Sequence, residues 1–270
     1  MRTFTSVALA LTISACASTK APSAPLSVET TVQTYEVDGT QMTGFLAKPA
    51  DDGVKRPAVL VVHEWWGHND YARRRATELA ELGYVAFALD MYGDGKVADH
   101  PQDATAFMGE VMSNRTLLEA RFQAGMEVLL AQDGVDAERT AAVGYCMGGA
   151  IVLDMARKGA DLDAVISVHG LLQSGVTAEP GSITGEVLVL TGADDPMADA
   201  AAVSAFEAEM DGASARHTVV SYEGVVHAFS NPAATELGEK FSMPIRYDAE
   251  ADADSWRRMA ALLEKTLRAD

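Results

Sequence analysis

The segment Gly144-Tyr145-Cys146-Met147-Gly148-Gly149 constrains this chain more than any other. It follows the apolar run Ala141-Ala142-Val143 and precedes a helix-like stretch, Ala150–Met155. The order is strand, Gly-x-nucleophile-x-Gly, helix: the nucleophile elbow of the α/β-hydrolase fold, with Cys in the nucleophile position. Glycines flank Cys146 because the turn leaves no room for side chains, and the strained turn lifts the nucleophile clear of the sheet. The pattern points to covalent acyl transfer by a thiolate.

A Cys nucleophile needs a base and a group that orients the base. In hydrolases of this fold the chain order is nucleophile, acid, His. Three histidines follow Cys146. His169 ends a strand with no acid before it in the required order. His217 begins an apolar strand and reads as structural. His227 lies in the loop after the last strand, where the base belongs. The acid should follow the penultimate strand, and Thr191-Gly192-Ala193-Asp194-Asp195-Pro196 does so. Its Gly-x-x-Asp spacing favours Asp195, with Asp194 left to cap the turn or helix. The oxyanion hole requires backbone N–H groups. Met147, at a helix N-terminus, supplies one. Trp65, after the strand ending at His63, is expected to supply the other. Glu64 stands between His63 and Trp65 in sequence, a carboxylate directly after a buried strand. It is expected to hydrogen-bond the thiol or accept its proton, or else to form a rim salt bridge. Trp65, Trp66, Tyr92 and Phe229 are candidates to line an apolar pocket, with ordinary core packing as the alternative, and Asn231 is a further candidate pocket residue.

Strand-like runs alternate with helical patterns along the chain. Strands are expected at Thr30–Val37, Met42–Ala47, Pro57–His63, Val85–Leu89, Ala141–Val143, Leu162–Val168, Val187–Leu190 and His217–Ser221. Asp38-Gly39 marks a hairpin. Helices are expected from an Asn69-Asp70 cap to Leu82, over 103–112 and 115–132, and at Ala200–Met210 and Ser255–Leu267. Near-continuous apolar strands alternating with helices predict an α/β-hydrolase fold, a mostly parallel central sheet with helices on both faces. Gly170–Gly185 and Ser230–Asp248 read as irregular. Residues 28–270 read as one domain.

The formal net charge of −18 opposes nucleic-acid binding, which needs a basic surface. Residues 1–15 resemble a lipoprotein signal peptide. Arg2 precedes the apolar run Val7–Ile13, which is too short to span a bilayer. Ile13-Ser14-Ala15-Cys16 resembles a lipobox with Cys16 as the lipidated residue, and residues 16–27 form a tether. The expectation is an exported bacterial lipoprotein facing the periplasm, touching membrane only through that anchor. Ala17 favours the outer membrane by resemblance to known sorting. The alternative is an ordinary signal cut at a nearby Ala, giving a soluble periplasmic or secreted protein. Cys16 and Cys146 are the only cysteines, so lipidation of Cys16 leaves Cys146 as a lone thiol.

Glu64, Gly144–Gly149, Gly192–Asp195 and His227-Ala228-Phe229 together resemble the dienelactone hydrolase family over roughly residues 30–265. The resemblance implies Cys146 as nucleophile, His227 as base, Asp195 as orienter, and Glu64 as the group that engages the resting thiol. It implies a small-molecule ester or lactone substrate and no cofactor. Family members that open dienelactone hold its carboxylate with two arginines. Here those regions read Met91-Tyr92-Gly93-Asp94 and Asn231. Asp94 would repel a carboxylate, with Lys96 as the nearest compensating charge. A neutral ester, thioester or lactone therefore fits as well. A second reading is a non-catalytic ligand-binding or thiol-redox protein on a hydrolase scaffold, which the complete catalytic set argues against. Metal binding through His63, Glu64 and His68 lacks a recognised ligand spacing, so no metal is expected.

Overall fold

The computed structural model describes residues 26–268. The signal segment, Cys16 and most of the tether lie outside the described residues. Eight strands form one sheet: β1 (Val28–Val37), β2 (Thr40–Pro49), β3 (Arg56–Val62), β4 (Val85–Leu89), β5 (Val135–Tyr145), β6 (Ala164–Val168), β7 (Glu186–Gly192) and β8 (Arg216–Tyr222). Their order across the sheet is β1-β2-β4-β3-β5-β6-β7-β8. The β1–β2 hairpin turns at Asp38-Gly39, both at positive φ, and β2 joins β4 antiparallel; every other pairing is parallel. This is the α/β-hydrolase architecture.

The apolar runs are continuous because both faces of these strands are buried. Ala58, Leu60 and Val62 of β3, with Val85, Phe87 and Leu89 of β4, face one layer. Helices α2 (Pro101–Ser113), α3 (Arg115–Leu130), α4 (Met147–Arg157) and α5 (Ala200–Gly212) cover that side. The alternate residues Val59, Val61, Ala86 and Ala88 face α1 (Asp70–Glu81) and α7 (Ala249–Leu267). Each fully buried Leu, Val or Phe contributes about 1.5–3 kcal/mol, so a one-residue register slip would exchange the two layers and is strongly opposed. Asn69 caps α1 by accepting the Tyr71 N–H at 3.1 Å. Among the described residues no helix is long and apolar enough to cross a membrane.

Three expectations change. The stretch 230–248 contains a further helix, α6 (Ala234–Phe241), which has no side-chain cap and ends on Ser242 at φ +53°. Helix α7 begins at Ala249, not Ser255, because Asp248 caps it through the N–H groups of Glu250 and Ala251. Strand β5 starts at Val135, since Val135 pairs with Arg56 before a register shift at Pro57/Ala58.

Candidate active site

Val62 of β3 lies opposite Gly144 of β5 in parallel register. The loops after these strands therefore leave the sheet side by side. From β3 the chain goes to β4 on one side and, later, to β5 on the other. That switch point, at the carboxyl ends of the strands, is where open α/β sheets form a crevice.

Between β5 and α4 a single residue, Cys146, makes the turn, with φ +53° and ψ −114°. A Cβ on Gly148 would lie 2.2 Å from the Val62 carbonyl oxygen, and one on Gly144 2.0 Å from that of Gly148. The start of α4 thus packs directly on backbone. Cys146 makes no side-chain cap to α4, so its sulfur is not tied to the helix.

His227 sits in the loop after β8 and donates from Nδ1 to Asp195 Oδ2 at 2.7 Å. Asp195, after β7, is itself fixed by accepting the Met197 N–H on Oδ1 at 2.8 Å. Asp194 is exposed, so the structure pairs His227 with Asp195 and not its neighbour. His227 Nε2 is buried without a formed hydrogen bond. Burial disfavours the imidazolium, but the charge of nearby Cys146 and the Asp195 contact outweigh it and raise the His227 pKa to about 10.

Glu64 is buried, and burial raises its pKa to about 7 against the opposing pull of Asn231 and the charges of His227 and Arg75. Its Oε2 accepts a 2.5 Å hydrogen bond from Asn231 Nδ2, while Asn231 Oδ1 accepts the Ala233 N–H. Glu64 is thus bonded to an amide and not to the thiol, and it is not a rim residue. Asn231, a candidate pocket residue, is buried with its amide engaged on both sides.

The N–H groups of Met147 and Trp65 have no partner within the described residues and flank the elbow from α4 and from the β3 loop. Tyr92 Oη donates to the Trp65 carbonyl at 2.8 Å and lies 3.3 Å from Met147 Sδ, so it braces both. Its hydroxyl pKa is raised by burial and then by the Cys146 charge. The loop carrying Tyr92 is moulded by buried Asp90, which accepts the N–H groups of Tyr92, Gly93, Gly95 and Thr43. Arg121 donates to the Met91 and Tyr92 carbonyls. Asp94 and Lys96 pair with each other at 3.8 Å, both partly exposed.

Trp66 is buried in a small cluster with Ala98 and Ala104. Phe229 is fully buried and stands edge-on to His169 and Tyr222. It backs the site with its side chain in the α1/α7 layer, the core-packing alternative. Both nitrogens of His63 are engaged: Nδ1 donates to the Glu64 carbonyl at 2.6 Å and Nε2 accepts the Met91 N–H. Among the described residues no three His, Cys, Asp or Glu converge as a metal site.

His169, set aside as a base by chain order, belongs to the site in another capacity. The Cys146 N–H is shared between the Val168 carbonyl at 3.0 Å and His169 Nδ1 at 3.1 Å. His169 Nε2 meets Ser230 Oγ at 2.7 Å. The sequence signal was available: a His at the end of a buried strand, followed by Gly170.

Residues 42–267 match the model of the dienelactone hydrolase family. A solved structure titled as a dienelactone hydrolase-like promiscuous phosphotriesterase from metagenomic libraries is 33% identical; the match covers 88% of this chain and 98% of that one, with TM-score 0.83. The protein usf of Aquifex pyrophilus is 28% identical over 239 residues, 86% of this chain and 97% of its own. A Bradyrhizobium protein named "Probable 2-oxo-3-(5-oxofuran-2-ylidene)propanoate lactonase" is 28% identical over 202 residues, 71% of this chain and 80% of its own. With the elbow, the paired His and Asp and the family match over most of its length, this chain belongs to the dienelactone hydrolase family and is a hydrolase of the ester- and lactone-cleaving class.

Proposed function

We propose that the protein cleaves a neutral ester or lactone through a Cys146–His227–Asp195 triad with an acyl-cysteine intermediate. The observation that carries this reading is the 2.7 Å His227–Asp195 bond. It fixes the imidazole with Nε2 free and puts a raised pKa beside Cys146. Cys146 Sγ attacks the carbonyl carbon. The N–H groups of Met147 and Trp65 receive the developing oxyanion. The tetrahedral adduct collapses as His227 Nε2–H protonates the departing alkoxide. Acylation removes the sulfur's charge, and with it a main cause of the raised His227 pKa. The neutral imidazole then takes a proton from water, hydroxide adds to the thioester, and the carboxylic acid leaves as sulfur departs.

The surroundings favour an uncharged substrate. Glu64 and Asn231 satisfy each other, and Lys96 is spent on Asp94. Val97, Leu171 and Met197 are exposed apolar side chains on loops bonded to the site: Gly67 bridges Val97, Leu171 follows His169-Gly170, and the Met197 N–H binds Asp195. They suit an apolar acyl or alkyl group. The reading is tested with residues 26–270 and chromogenic esters graded by charge and chain length, dienelactone included. Turnover of neutral esters at kcat/KM at least about 10-fold above anionic ones, abolished in Cys146→Ala and His227→Ala, is expected. Preference for an anionic substrate would refute the neutral-ester part.

We also propose export as a Cys16-anchored lipoprotein. Leu26 lies beside Gly83 at the amino-terminal ends of the strands, opposite the elbow, so a tether there would leave the crevice facing away from the membrane. Labelled palmitate should enter wild type in cells and not Cys16→Ala; equal labelling would contradict it.

A further inference from the structure

We propose that His169 is a positioning residue for the nucleophile: Ser230 fixes its tautomer, and its Nδ1 lone pair holds the Cys146 N–H and with it the elbow's backbone. The proposal rests on Cys146 being the nucleophile.

The Cys146 N–H can only donate, so His169 Nδ1 must accept at 3.1 Å, and the ring proton must sit on Nε2. Nε2 then donates to Ser230 Oγ at 2.7 Å. Ser230 is held in turn. Its Oγ lies 2.6 Å from Tyr71 Oη, and its carbonyl accepts Arg75 Nη2 at 2.8 Å. Arg75 is buried and ion-paired with Glu78 and Asp252. A continuous chain of bonds therefore runs from the nucleophile's N–H to an ion pair between α1 and α7.

The imidazole stays neutral. Burial, then the charges of His227 and Arg75, push its pKa well below the usual histidine range. A second ring proton would also confront the Cys146 N–H directly.

The backbone gives an independent reason to notice the residue. His169 is fully buried and itself sits at φ +41°, a region that favours Gly and Asn. The Val168 carbonyl continues the ordinary β5–β6 ladder, whereas Nδ1 pulls on the same N–H from off the ladder. That second acceptor sets the tilt of the Tyr145–Cys146 peptide and hence the direction of Sγ. The His169 ring also stands edge-on to His227, with centroids 5.3 Å apart, so one side chain braces both reacting groups. A displacement of about 1 Å at such a site costs about 100-fold in rate.

The design of the test follows from side-chain geometry. Asn carries Oδ1 where His carries Nδ1 and accepts positive φ, so His169→Asn keeps the acceptor and needs no tautomer fixed. His169→Leu removes the acceptor. Both are compared with wild type, Ser230→Ala and the His169→Asn/Ser230→Ala double variant on a neutral aryl ester. The expected results are a kcat loss of about 100-fold in His169→Leu with KM within about twofold, and His169→Asn within about fivefold of wild type. Ser230→Ala should lower kcat about fivefold in the wild-type background and less than about twofold in the His169→Asn background. The midpoints of the kcat/KM pH profile should not move, because no titrating group is lost.

Three results overturn the proposal; the last two are what a merely structural role predicts, since backbone strain at φ +41° would by itself spare Asn over Leu. These are equal losses in His169→Asn and His169→Leu, a loss carried by KM, or a Ser230→Ala effect that is the same in both backgrounds. If His169→Leu fails to fold, judged by circular dichroism, the two-background Ser230→Ala comparison decides alone. Cys146→Ala is run alongside: turnover that survives it overturns the nucleophile reading itself, while inactive Cys146→Ala with an unaffected His169→Leu overturns only the role given to His169.

Discussion

The two ends of the parallel strands make an instructive pair. At the amino-terminal ends of β3, β4 and β5, a groove of about 950 Å³ opens between α1 and α7. It is rich in charge, but each guanidinium there has a carboxylate: Arg56 with Asp52, Arg139 with Asp136, Arg268 with Glu264. At the carboxyl-terminal ends the polar groups of the site are left partly unused. His227 Nε2 and the N–H groups of Met147 and Trp65 have no partner, and Glu64 is buried opposite an amide instead of a cation. The lesson is that volume does not locate the chemistry. The reactive end is the one where burial is not matched by complete pairing. Arg75 belongs to both ends: its side chain lines the groove and also anchors the Ser230 network behind the site.

Substitutions at the two ends should differ in effect by orders of magnitude. The largest effect is expected at Asp195. Asp195→Asn leaves the shape nearly unchanged but presents an amide donor to either His227 or Met197, and kcat/KM should fall about 10³- to 10⁴-fold; steady-state kinetics on a neutral ester measures it. Gly148→Ala comes next. Its Cβ would collide with the Val62 carbonyl, so the elbow must shift, and thermal melting should show a loss of several kcal/mol or no folded protein.

Glu64 offers a pH signature. Its pKa is raised from an ordinary carboxylate value near 4.5 to about 7, so the folded protein binds the extra proton. The associated stability is fully present below about pH 4.5 and is lost as pH rises through about 7. Glu64→Gln removes that dependence. Wild type should lose about 3 kcal/mol relative to the variant between pH 5 and 8.5 in denaturant titrations. Parallel pH curves would sink this account of Glu64. Tyr92→Phe should lower kcat about 5- to 10-fold by freeing the Trp65 carbonyl that Tyr92 holds. Smallest of all, Arg139→Ala in the groove should leave turnover within about twofold and cost about 1 kcal/mol, since it removes a half-exposed ion pair and one bond to the Leu267 carbonyl.

Much of this was legible in the sequence where one local rule decides the outcome. Strands buried on both faces read as apolar runs, and β3, β4, β6 and β7 appear close to where the sequence places them. The elbow is a local steric pattern, so Cys146, Gly144 and Gly148 stand out at once. His227 and Asp195 follow from chain order after the elbow. The rest depends on partners distant in sequence or on backbone caps. Helix α6 has no side-chain cap and lies between Pro232 and Pro244, so it resembles a loop. The first half of β5 is polar and is held by pairing with the start of β3. The partner of Glu64 is 167 positions away, and Ser230 joins His169 to Tyr71 across 61 and 159 positions. No spacing rule reaches that far. Phe229 belongs to the same group, since only the three-dimensional path of the β8 loop decides between pocket and core.

The central claim is that Cys146 carries the acyl group. The most direct test is to mix the protein with an activated neutral ester, quench within the first turnover, and map the added mass by peptide mass spectrometry. The account predicts one acyl group per chain on Cys146. It should persist in His227→Ala after acylation by a highly activated ester, because deacylation needs that imidazole, and it should be absent in Cys146→Ala. Hydrolysis that proceeds at the wild-type rate in Cys146→Ala, or acylation mapped to another residue during turnover, would contradict it.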